Sequence, residues 1–212
     1  ENAAQLIELK EETYVPKFAR SLDGSIDEEA QKGGAQFGTA VHKVMELLSF
    51  GSDFKYQCQA DEKRLYTVFH EERRRWILEG RATQEELSCV PVGRICGFLK
   101  SPLAARMIAA QERGELYKEQ PFVLGVGANQ LSEQYPKEEL VLIQGVIDVF
   151  FYEGDGIVFA DYKTDRVENE QQLADRYRAQ LDHYQRALEQ ITGKQVKERY
   201  LYSFCLQREI QL

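Results

Sequence analysis

Apolar residues recur at helical spacing between Ala35 and Phe50, where Phe37, Val41, Val44, Met45 and Leu48 share one side and Gly51-Ser52 closes the segment. The preceding residues 1–34 are polar and broken by Asp23-Gly24 and Gly33-Gly34, which predicts a loose lead-in to a single domain over 35–212. A second helix is predicted over 61–80, with Leu65, Val68, Phe69, Trp76 and Ile77 as its stripe and Arg73-Arg74-Arg75 as its basic end. Thr83-Gln84-Glu85-Glu86 has the form of a capping box and opens a short helix. Pro91 opens another, and Ser101-Pro102, an N-cap followed by a proline at the first helical position, starts one that runs through Gln111. Residues from about 55 to 113 therefore read as a helical insert.

The period then changes from helical to alternating. Residues 115–126, 140–152 and 156–163 predict three strands, the last two joined by the tight turn Gly154-Asp155-Gly156. A long helix is predicted over 168–191, ended by Thr192-Gly193, and a final strand over 196–205. No internal repeat or low-complexity tract interrupts this order.

Composition narrows the class. A hydrophobic fraction of 43%, with 11 Tyr and 11 Phe, is ample for a core. No run approaches the ~18 apolar residues of a membrane span, so no membrane partner is expected. No basic-then-apolar leader is visible, and Cys58, Cys89, Cys96 and Cys205 form no CxxC pair. Reduced thiols in a cytoplasmic protein are the expectation. The start at Glu1 suggests a piece of a longer chain, and without a Gly-rich Walker-type loop no ATP site is expected. The net charge of −8 argues at first against a nucleic-acid partner. Its distribution softens that: residues 61–113 carry a net +2 between flanks of −4 and −6. Part of the acidic excess falls where a cation would offset it. Weak intrinsic affinity for DNA, with delivery by a larger partner, is the expectation.

The chemistry concentrates in two segments. Asp148 ends the apolar run of Gln144-Gly145-Val146-Ile147-Asp148, and Asp161 and Lys163 share a face of Asp161-Tyr162-Lys163-Thr164-Asp165. Asp148 alone reads as a turn or cap acid, and Asp161 with Lys163 as a structural salt bridge. A buried ion pair seldom adds net stability, however, and two acids with a lysine form a set suited to a hard cation such as Mg²⁺ or Mn²⁺. Lys163 would then orient or deprotonate an attacking water, or steady the phosphate. His42 reads as a surface or satisfied core histidine unless it lies beside that set. Gly38, one turn earlier, would let a backbone or substrate approach. Tyr177, Gln180 and Tyr184 share a helical face, either an ordinary polar one or a row of phosphate and base contacts. Glu119 reads equally as an exposed strand acid or as a residue near a second metal. Arg73, Arg74 and Arg75 read as a solvated face that could touch a DNA backbone.

Taken in order, Gly38-x-x-x-His42, Gly145-Val146-Ile147-Asp148, Asp161-Tyr162-Lys163-Thr164-Asp165 and Gln180-x-x-x-Tyr184 resemble the RecB-type branch of the PD-(D/E)xK nucleases over roughly residues 35–205. Within that branch the pattern is most similar to the C-terminal nuclease domains of the A subunits of bacterial AddAB-type helicase–nucleases. The resemblance implies an α/β fold, a restriction-endonuclease-like mixed central sheet flanked by helices, with a helical insert after the His42 helix. It implies that His42, Asp148, Asp161 and the backbone carbonyl of Tyr162 ligate Mg²⁺, that Lys163 is the catalytic lysine, and that Gln180 and Tyr184 support the site and the DNA strand. Glu119 matches a position that approaches the metals in such enzymes, and Tyr177 joins the candidate nucleic-acid contacts. Some relatives hold an iron–sulfur cluster with one upstream and three C-terminal cysteines; this chain has the reverse distribution, so no cluster is expected. The implied activity is a metal-dependent deoxyribonuclease, of exonuclease type, acting mainly on single-stranded DNA in double-strand break repair and recombination. The implied partners are a helicase portion of the parent polypeptide and a second helicase–nuclease subunit. The acidic charge motivates a rival reading, a catalytically silent DNA-binding or docking module. A phosphatase-like metallohydrolase shares the chemistry.

Overall fold

In a computed structural model, residues 28–51, 62–127 and 140–212 are described. Four helices come first: α1 (Glu28–Leu47), α2 (Glu62–Leu78), α3 (Val92–Leu99) and α4 (Pro102–Glu112). Three strands follow, β1 (Leu116–Gly127), β2 (Leu140–Glu153) and β3 (Gly156–Lys163), then α5 (Glu170–Thr192), β4 (Val196–Ser203) and β5 (Arg208–Gln211). The five strands form one sheet in chain order, antiparallel except that β3 and β4 run parallel. A parallel neighbour requires a crossover, and α5 supplies it. The fold is the expected mixed sheet flanked by helices.

Each face of the sheet has its own core. The N-terminal helices bury Val41, Met45, Phe69, Trp76, Phe98 and Met107 against Val149, Phe151, Val158, Ala160, Tyr162 and Tyr202. On the other face α5 buries Leu173, Leu181 and Leu188 against Phe122, Phe150, Phe159 and Leu201. Strand β3, covered on both sides, is accordingly an almost unbroken apolar run. Local signals start the helices where expected: Ser101 accepts from Ala104 N at 3.1 Å ahead of Pro102, and Asn169 accepts from Gln172 N at 3.0 Å.

Alternation fails at one level of the β1–β2 hairpin. Phe122 and Leu124 of β1 and Ile143 and Ile147 of β2 face α5, whereas Leu116, Val149 and Phe151 face the N-terminal helices. Glu119, which carries a φ of 49°, and Asp148 are the residues at which both strands change sides. They stand opposite one another between the pairs Lys118–Val149 and Gln120–Ile147. Beyond that level the hairpin's second face is uncovered, with Val123, Leu142 and Val146 exposed.

Three elements depart from the sequence reading. Helix α1 begins at Glu28 and runs through Gly33-Gly34, so the lead-in proper lies before Glu28, outside the described residues, as does Cys58. The capping box at Thr83 forms, with Thr83 N donating to Glu86 Oε2 at 2.7 Å and Glu86 N to Thr83 Oγ1 at 3.1 Å. Only turns follow it, because Pro91 comes too soon for a helix to continue. The last predicted strand stops at Ser203, and the chain then turns back as β5, which is too short to show a readable alternation. No helix among the described residues is long and apolar enough to cross a membrane.

Candidate active site

The β2–β3 ladder ends at Val149–Ala160, and the next residues in register are Asp148 and Asp161. Here the strands part. Asp148 Oδ2 takes the Tyr162 N–H at 2.6 Å, a side chain in the place of a ladder carbonyl. Glu119, Asp148 and Asp161 thus stand at one level on three adjacent strands. Asp148 and Asp161 are 6% and 2% exposed, so carboxylates replace the apolar filling in this row of the sheet. Burying carboxylates side by side is costly without a cation.

Helix α1 brings the imidazole. His42 Nδ1 lies 3.4 Å from Asp148 Oδ1. A Cβ on Gly38 would sit 3.1 Å from Thr164 Oγ1, so glycine at this position lets α1 approach the end of β3 closely enough for His42 to reach the carboxylates. At the far end of α1, the Lys118 ammonium donates to the carbonyls of Glu46 at 2.5 Å and Leu48 at 2.7 Å. It caps the helix from the strand residue next to Glu119. His42, Glu119 and Asp148 present ligand atoms within 4.8 Å of one another, and His42 and Glu119 with Thr39, Lys43 and Glu46 line an open cleft of about 340 Å³.

Helix α5 closes the other side. Lys163 Nζ lies 2.7 Å from Asp161 Oδ2, donates to Gln180 Oε1 at 2.9 Å and sits 3.9 Å from the centroid of the Tyr177 ring. Among the described residues Lys163 is the charged partner of the buried Asp161 Oδ2. Gln180 Nε2 donates to Tyr184 OH at 2.8 Å. Tyr177 OH donates to Asp165 Oδ2 at 2.9 Å, and Asp165 Oδ1 accepts from Arg176 at 2.7 Å. A Cβ on Gly145 would meet the Phe122 ring at 2.9 Å, and that ring packs edge-on against Tyr184.

The charges are held out of balance. Burial, then the charge of Asp148, pushes Glu119 up to about 7. Burial raises Asp161 to about 6, against the pull of Lys163. Burial by itself would lower His42, but the hydrogen bond to Asp148 and the charges of Asp148 and Asp161 outweigh it and the imidazole is raised. Each shift favours the protonated form, the neutral acid for Glu119 and Asp161 and the imidazolium for His42, and a divalent cation is what would reverse it. The imidazole of His42 with the carboxylates of Glu119 and Asp148, and the Asp161 carboxylate beside them, fit a hard or borderline divalent metal.

The residues singled out in the sequence thus converge, but not all as expected. Glu119 stands with His42 and Asp148, whereas Asp161 is outside that trio with its carboxylate against Lys163. Tyr184 is 7% exposed between Phe122 and Phe159, so its ring offers no face for a base; one face of Tyr177 is taken by the lysine. The expectation of phenol rings stacking on bases is corrected for Tyr184. Asp165 and Lys118 were not singled out for roles in the sequence. Asp165 closes the same acid–lysine run; Lys118 carries no signal, since its role depends on where α1 ends.

This sheet, with acids at strand ends and a lysine two residues on, has the form of a nuclease core, and the PD-(D/E)XK nuclease superfamily matches residues 15–209. The chain belongs to that superfamily. It is 34% identical over 95% of its length to the A subunit of an ATP-dependent helicase/nuclease from Lachnoclostridium phytofermentans, and 34% identical over 97% to its counterpart from Clostridium botulinum. The corresponding protein of Syntrophomonas wolfei is 35% identical over 95% of the chain. The chain spans only 15–16% of the length of these relatives.

Proposed function

We propose that this chain is the nuclease domain of a helicase–nuclease and hydrolyses phosphodiester bonds of single-stranded DNA with Mg²⁺, for which Mn²⁺ substitutes. The observation that carries the reading is the row of Glu119, Asp148 and Asp161 beside Lys163, with Asp148 and Asp161 buried. His42, Glu119, Asp148, Asp161 and the Tyr162 carbonyl would hold the ion. When bound, it would supply charge stabilisation at the phosphate and lower the pKa of an attacking water.

The protein's own groups do the rest. Asp148 spends Oδ2 on the Tyr162 amide, which fixes the carboxylate and leaves Oδ1 toward His42. Lys163 is held by Gln180 on one side and the Tyr177 ring on another, so its ammonium is positioned to orient the nucleophile or steady the phosphate. Gln180 is oriented in turn by Tyr184. The similarity to the A subunits supports a setting in which a helicase portion of a longer polypeptide and a second subunit deliver the strand during break processing and recombination, in the cytoplasm, with attack of exonuclease type. The test is degradation of single-stranded DNA by the purified chain with Mg²⁺, and its loss in Asp161→Ala and Lys163→Ala variants with unchanged circular dichroism. Hydrolysis that survives both substitutions would refute the reading. Absence of both hydrolysis and calorimetric Mg²⁺ or Mn²⁺ binding would leave only a docking module.

A further inference from the structure

The run Arg73-Arg74-Arg75 is divided by the fold. Arg75 pairs with Glu72 and lies 3.8 Å from Glu79, on the acidic side of α2. Arg73 and Arg74 make no ion pair among the described residues. The two arginines instead line a groove of about 360 Å³ with His70, Ile77, Leu78 and Gln84. The helical members fall at spacings of three and four, so they form one face, opposite the buried Leu65, Phe69 and Trp76. No lining residue is acidic. Leu78, 80% exposed, forms an apolar wall.

We infer that this groove is a second site for the DNA strand, a backbone-binding site outside the cleft, and the inference rests on the nuclease reading above. Two neighbouring guanidiniums present forked donors suited to phosphate, and the amide of Gln84 and the ring N–H of His70 add further donors. The favoured occupant is a polyanion with some apolar surface, because the groove pairs cations with Ile77 and Leu78. The groove is also linked to the cleft. The segment after Gln84 carries Cys89, whose thiol donates to the Gln36 carbonyl of α1 at 3.5 Å, and Arg94 lies over the Phe37 ring. Gln36 precedes His42 on that helix by roughly 9 Å of rise. A strand that fills both sites must be long, so the groove selects for length and not for base sequence.

The test uses the full chain with Lys163→Ala to prevent turnover, and labelled oligothymidylates of about 30 and about 4 nucleotides. Fluorescence anisotropy is followed between about 50 and 200 mM salt. Arg73→Gln/Arg74→Gln is expected to weaken binding of the long strand by roughly tenfold at the lower salt and to flatten its salt slope by about 1 to 1.5. Binding of the short strand is unchanged. In the Lys163-containing protein the same pair raises KM for long strands and leaves hydrolysis of short ones unaltered. Unchanged affinity and slope for the long strand overturn the inference, as does a groove that binds only an acidic peptide. The two readings fail separately: turnover of short strands with an unaffected salt slope removes the groove and keeps the nuclease. Lost long-strand binding in a chain without hydrolysis removes the nuclease and keeps the groove.

Discussion

Two clusters of charge sit on this sheet and are built on opposite principles. On the helical-insert side Arg106 makes a two-pronged contact with Glu153 at 2.7 and 3.1 Å, donates to Glu198 at 2.7 Å and Tyr200 at 3.1 Å, and lies over the rings of Phe151 and Tyr200. Each guanidinium nitrogen has an acceptor, and the three charged members keep 26–43% of their side-chain surface in water. The hydrogen bond from Arg106 holds Glu198 below the usual carboxylate range. At the strand ends Asp161 and Lys163 are 3% and 13% exposed, and Asp161 and Glu119 are raised even though Lys163 lies against Asp161. The first cluster ties α4 to β2 and β4 and is satisfied by the protein. The second buries its carboxylates in a row with one lysine for counter-charge, and the fold bears the cost of burying it.

The difference can be broken experimentally. The largest effect is expected from Asp161→Ala or Lys163→Ala, which should lower hydrolysis of single-stranded DNA by on the order of 10²–10⁴-fold while the melting temperature stays within a few degrees. Arg106→Met should do the reverse. It should cost about 1–3 kcal/mol in chemical denaturation and leave the rate per folded molecule intact. A rate loss matching that of Lys163→Ala would erase the distinction between the clusters. Next comes Glu119→Gln, which removes a repulsion with Asp148. Without metal at pH 8 the variant should melt a few degrees higher than the parent, and its stabilisation by Mg²⁺ should shrink.

The two clusters should also differ in sign with pH. Asp161 and Glu119, raised in the fold, bind protons in the native state between the ordinary carboxylate value and about 6 and about 7. The metal-free chain therefore loses stability as pH rises through that window, and the Mg²⁺-induced gain in melting temperature should grow from about pH 5.5 to pH 8. Glu198, lowered, contributes stability above the ordinary carboxylate range and loses it as pH falls through its folded value. Calorimetry with and without Mg²⁺ separates the two, and a metal effect independent of pH would contradict the assignment. The smallest effect is expected at Tyr177. Tyr177→Phe keeps the ring beneath Lys163 and should cost about threefold in kcat, Tyr177→Leu about tenfold, with KM little changed.

The helices and strands were legible because their periodicity records which face is buried. Met45 on α1 and Phe159 on β3 take their places from an amphipathic stripe and an apolar run. The start of α1 was not, because Gly33-Gly34 carries a strong local preference for a break that the helix overrides. Strand β5 was not, because four residues hold too little alternation. In the site, Asp148, Asp161 and Lys163 could be singled out because charges at the ends of apolar runs are conspicuous. Glu119 could not be told from a surface acid.

The order of residues alone determined the elements, their buried faces and the identity of the groups that could meet a cation. That they stand in one row was decided only in three dimensions. Register across β1, β2 and β3, the change of sides at Glu119 and Asp148, and the close passage of α1 at Gly38 are relations between segments distant along the chain. They arise when each face of the sheet is packed against its own set of helices, and no local pattern records the outcome.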